Sequence, residues 1–140
     1  MVLSQETKTL LSEINKASGN RLQRSMDLAR LMELAYQSKK QSVLDDLAFR
    51  AKFLTKTFEL MKRIGKGGEG YDKLLAEFSA NVEKVQQHIR TLLETSTKEM
   101  QAHFSATYLS LGDMTMENLM PLLHDLSWYK NYHLDARHES

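Results

Sequence analysis

An all-α antiparallel bundle of four or five helices, organised around a long coiled-coil-like helical hairpin, is the fold this sequence predicts. Three observations carry the expectation. The chain holds 22 leucines against seven valines and isoleucines together; straight-chain and γ-branched residues lose little freedom in a helix, whereas strands favour β-branched ones. Its single proline is Pro121, so 120 residues run without the strongest helix breaker. Four of its six glycines crowd into Gly65, Gly67, Gly68 and Gly70, which marks one sharp connection.

The first helix is expected from about Ser4 to Ala17, with Leu10, Leu11 and Ile14 inward, ending at Ser18-Gly19 where glycine can take the left-handed cap. Asn20 followed by Gln23 has capping-box spacing and opens a second helix to about Lys39. Beyond it lies an ambiguity. No Gly or Pro falls between Asn20 and Ile64, and one heptad phase runs through Leu22, Ala29, Tyr36, Val43 and Ile64, the other through Met26, Leu47, Leu54 and Met61. Yet Ser42 and Asp45 again have capping-box spacing, and short connections are common in bundles, so a break near 38–42 and a third helix to Ile64 are expected.

The clearest signal follows the glycines. Tyr71, Leu75, Phe78, Val82, Val85, Ile89 and Leu92 alternate spacings of four and three, the a/d pattern that packs knobs into holes. At ~1.5 Å per residue this segment is roughly 33 Å long and matches the length of 43–64, so 42–64 and 71–94 form the hairpin. Thr95-Ser96-Thr97 interrupts the pattern, and Ser96 with Glu99 restarts a helix that Met100, Phe104, Tyr108 and Leu111 carry to Gly112. The last helix is expected from Thr115 or Asn118 to about Tyr132, with Pro121 in its first turn and Leu119, Leu122, Leu123, Leu126 and Tyr129 inward. Residues 134–140 form a polar tail, and 1–140 reads as one domain.

Composition removes several classes of function. Cysteine is absent, which excludes disulfide scaffolds, zinc ribbons and thiol chemistry. No apolar run approaches the ~18 residues of a membrane span, so no membrane partner is expected. The start of the sequence lacks a basic, then apolar, leader, and the expected location is the cytoplasm. The stretch 65–70 satisfies G-x-G-x-x-G, but a helix and not a strand precedes it; it reads as a connector, not a dinucleotide site. None of His88, His103, His124, His133 and His138 has a glutamate three residues earlier, as a di-iron bundle requires, and Glu99 with His103 stands alone. The histidines read as solvated or capping, and neither a cofactor nor a metal is expected.

Two surfaces are candidates for contact. Residues 1–70 hold 13 basic and eight acidic side chains, residues 71–140 six and ten. Lys52, Lys56 and Arg63 fall at helical spacing with Lys62 and Lys66 beside them, a stripe that suits phosphates or the acidic half of a neighbouring subunit, although its interleaving is not aromatic and a solvated face is the plainer reading. Met114, Met116 and Met120 crowd the start of the last helix near Trp128, Tyr129 and Tyr132, the best candidate for an adhesive surface toward a protein partner or a second copy, although packing inside the same chain is the plainer reading. The functional expectation is a non-catalytic interaction or assembly module, a small subunit or adaptor of a larger complex. The alternative is a helical subunit touching nucleic acid through 50–66, and the third a bundle carrying a cofactor or metal.

Overall fold

The computed structural model describes residues 5–110 and 112–129. They form an all-α bundle: α1 (Gln5–Gln37), α2 (Gln41–Ile64), α3 (Tyr71–Leu93), α4 (Lys98–Phe104), a π-helical stretch (Ser105–Leu109) and α5 (Asp113–Tyr129), with no strand among the described residues.

The break before α2 has a definite chemistry. Lys39 adopts a left-handed φ of 57°, Lys40 N–H donates to the Ala35 carbonyl at 2.8 Å, and Lys39 N–H to that of Tyr36 at 3.4 Å. This is a Schellman cap built on lysine in place of the usual glycine. The cap of α2 is Lys40, not Ser42, which lies inside the helix. Lys40 Nζ crosses to α3 and donates to the Thr91 carbonyl at 2.9 Å and to Glu94 Oε2 at 3.0 Å.

Further expectations about helix ends fail. Gly19 stops nothing, because α1 runs through it as one helix of 33 residues. A glycine inside a helix costs about 1 kcal/mol relative to alanine, too little by itself to end a long helix. Pro121 is not in a first turn, because α5 begins at Asp113, directly after Gly112 with its φ of 137°. The proline therefore lies mid-helix, where its missing N–H cannot return the bond to the Glu117 carbonyl. The cap of α4 is also shifted by one residue: Thr97, not Ser96, accepts from the Met100 N–H at 3.1 Å. The expected end of α5 at Tyr132 lies outside the described residues.

Pairings between α2 and α3 descend along one as they ascend the other: Asp46 meets His88, Arg50 meets Asn81, and Phe58 stacks on Phe78. The two helices are antiparallel. Leu44, Leu47, Leu54 and Met61 of α2, and Phe78, Val85, Ile89 and Leu92 of α3, are buried. Leu119, Leu122, Leu123 and Leu126 of α5 complete the core with Leu31 and Ala35 of α1 and Phe104, Tyr108 and Leu109. The seam fails at Leu75, which is 41% exposed. Along residues 21–37 of α1 the predicted phase fails: Leu22, Met26 and Tyr36 are exposed, and the buried row is Asp27, Leu31 and Ala35; the side chains of Leu10, Leu11 and Ile14, expected inward, lie outside the described residues. The heptad phase carried across 38–42 treated two helices as one, and an aspartate in the buried row hid the stripe that packs.

The glycine connection is a shaped turn. Gly67 has φ +85°, so alanine there is strained by about 1–2 kcal/mol. A Cβ on Gly68 would lie 2.5 Å from Ile64 Cγ2 and 2.7 Å from the Ile64 carbonyl oxygen.

Candidate functional site

The end of the bundle nearest the glycine turn is open. Between α2 and α5 runs a groove of about 440 Å³, lined by Phe58, Lys62, Met116, Met120, Pro121 and His124 among others. Between α3 and the start of α5 lies a second, of about 660 Å³, lined by Leu75, Phe78, Val82, Leu109 and Met116 among others. Met116 belongs to both. The stacked rings of Phe58 and Phe78, 6.0 Å between centroids, contribute one wall to each groove. Glu59, Lys62 and Glu117 line the first groove and Glu83 and Arg90 the second. Each surface is thus mainly apolar with a few charged side chains, the composition of a site that orients its ligand while excluding water.

The structure divides the residues singled out from the sequence. Met116 and Met120 are brought together, half-buried, in the first groove, while Trp128 stands exposed further along α5 with its ring edge-on to His124 at 6.3 Å. The side chains of Met114 and Tyr129, and Tyr132 altogether, lie outside the described residues. Lys62 leaves the basic stripe: its ammonium sits 4.4 Å from the centroid of the Phe58 ring, a cation–π contact within the groove. One residue is 100° of helix, so Lys62 cannot share the face of Arg63. Lys56, Arg63 and Lys66 are exposed, and Lys52 is half-buried. The reading of that row as free of aromatic side chains is wrong, because Phe49 and Phe53 stand exposed beside Lys52 and Lys56.

Sequence reasoning missed two polar clusters. Asp27 is 2% exposed, and its carboxylate accepts from Tyr108 Oη at 2.6 Å, from Gln23 Nε2 at 3.0 Å and from His103 Nε2 at 2.9 Å. A carboxylate is acceptor-only, so that histidine nitrogen carries its proton. One turn away, Arg24 Nε donates to Asp125 Oδ2 at 2.8 Å. The cluster ties α1 to α4, to the π-helical stretch and to α5. Burial, then the neighbouring Asp27 carboxylate, pushes the Tyr108 hydroxyl far above its ordinary 10.0. The signal available in the sequence was Asp27 itself, one turn before Leu31 and two before Ala35. His103 is accordingly neither solvated nor a cap, and its partner is Asp27, not Glu99.

The second cluster lies between α2 and α3. Asp46 Oδ2 accepts from Arg50 Nε at 2.8 Å and from His88 Nε2 at 2.6 Å, and Arg50 Nη1 donates to Asn81 at 3.0 Å. The Arg50 hydrogen bond, helped by His88 and opposed by burial, holds the Asp46 carboxyl below its ordinary 3.8. A folded-state value below the unfolded one contributes stability that is present above pH 3.8 and lost as pH falls through the lower folded value. Urea midpoints measured at pH 3 and pH 6 should therefore converge when Asp46→Asn is introduced. The effect should stay below about 1 kcal/mol, because the side chain is 43% exposed and solvent screens it.

Among the described residues no group of three or more His, Asp or Glu side chains is placed to hold a metal ion, and no helix is long and apolar enough to cross a membrane. Set against known proteins, the chain matches no family model, no curated protein and no solved structure.

Proposed function

We propose that this chain is a non-catalytic helical interaction module, a small subunit or adaptor of a larger cytoplasmic complex, and that it receives an amphipathic helix of a partner protein. The observation that carries the reading is the pair of apolar grooves meeting at Met116. Methionine is unbranched and polarisable, which suits a surface that must repack around an incoming helix. A helix laid in such a groove presents anchors at i, i+3, i+4 and i+7, and Phe58, Met116 and Met120 provide apolar surface for them.

The test is affinity purification of the full chain at native expression, parent beside Met120→Glu. Met120 is half-buried at the groove, so the variant changes the surface while circular dichroism checks that the fold persists. A protein partner recovered in stoichiometric amount with the parent and lost with Met120→Glu is the expected result. Equal recovery with both would remove the groove from the function.

A further inference from the structure

We infer that the outer face of α2 binds single-stranded nucleic acid. This face is separate from the grooves, and the inference stands independently of the function proposed for them. At 100° per residue, Phe49, Phe53 and Leu60 fall within about 40° of one another along ~17 Å of helix. Lys52, Lys56 and Arg63 form a parallel row about 60° to one side, and Lys66 continues that end in the glycine turn. Phe53 is 44% exposed and Leu60 39%. No ion pair among the described residues engages Lys56, Arg63 or Lys66. A basic row that tracks a phosphate backbone, beside aromatic rings on which bases stack, is the arrangement by which proteins hold single strands without reading sequence.

The surroundings argue against other occupants. A bilayer would need the apolar line to sink below the headgroups, but the edge opposite the basic row carries the Asp46 carboxylate, 43% exposed, with Arg50 and Asn81 bonded about it. Lowering that cluster towards acyl chains would desolvate it. A second copy seated symmetrically on this same face would bring two basic rows together. Asp45 and Glu59 near the row and Glu69 in the glycine turn set three acids against Lys52, Lys56, Arg63 and Lys66, which leaves the row positive by one charge.

The test is fluorescence polarisation of a labelled 12-nucleotide oligouridine with the full chain at about 50 and 200 mM salt. Three phosphate contacts on a single strand give a log–log slope near −2, or roughly a 15- to 20-fold loss of affinity over that interval. Lys56→Gln with Arg63→Gln should flatten the slope by about 0.7 for each contact removed. Phe53→Ala should weaken binding about 5- to 150-fold while leaving the slope unchanged, as loss of one stacked base would. Lys98→Gln on α4 should change neither. All these positions are exposed, so melting temperatures should be those of the parent. Absence of binding at 50 mM salt would overturn the inference, as would variants that bind like the parent. So would Phe53-dependent binding to phosphatidylserine vesicles by a chain that ignores the oligonucleotide.

Discussion

Ile89→Asp is expected to leave the chain unfolded, or to cost at least about 4 kcal/mol if any folded form persists. Ile89 is wholly buried on α3, in the same row as Val85 and Leu92. The substitution removes one of the largest fully buried side chains and sets a carboxylate among hydrocarbon with no donor provided for it. Either change alone is costly, and a domain of this size has only about 5–15 kcal/mol of stability to lose. Urea titration followed by helical circular dichroism measures it. A loss under about 1 kcal/mol would place Ile89 at the surface and refute the packing of α3.

The second large effect is expected at Asp27. Asp27→Ala strands the buried Tyr108 hydroxyl and removes the acceptor that holds the part-exposed His103 and the exposed Gln23, and should cost about 2–3 kcal/mol. Tyr108→Phe should cost about 1–2 kcal/mol alone and much less in the Asp27→Ala background, where its hydroxyl has lost its acceptor. The alkaline limb distinguishes this cluster from simple packing. Tyr108 is held neutral in the folded state, so its contribution is complete below pH 10 and declines as pH rises above that value. The parent should therefore lose stability between pH 9 and pH 11 faster than Tyr108→Phe. Equal slopes would mean that the hydroxyl is not engaged.

Why some of this was legible in the sequence and some was not follows from what each signal depends on. The limits of α2 and α3 could be read because clustered glycines and an unbroken a/d spacing are local properties. The continuity of α1 could not, because a glycine followed by a capping-box spacing resembles a stop when neighbouring turns are ignored. The inner face of α1 escaped because a buried aspartate is acceptable only when Tyr108 and His103, some eighty residues away, meet it. No helical periodicity contains that information. Lys62 was grouped with Arg63 by adjacency, when its side chain in fact lies with Phe58, one turn back. Phe49 and Phe53 lie off the inward register of Leu47, Leu54 and Met61, and an apolar side chain on the outer face carries no periodic signal.

The way α1 is fastened bears on the order in which the molecule assembles. Helices α2 and α3 meet across a turn of six residues, so their pairing closes a short loop and can begin early. The polar contacts that clip α1 in place join residues 76, 81 and 101 positions apart. Closing such distances is slow, and a buried carboxylate is tolerable only after its donors have arrived. Folding should therefore condense on the α2–α3 pair and finish with α1, and unfolding should release α1 first. In the native protein, α1 is then the segment whose excursions occur without global unfolding, exposing the Asp27 side of the bundle while the hairpin remains closed.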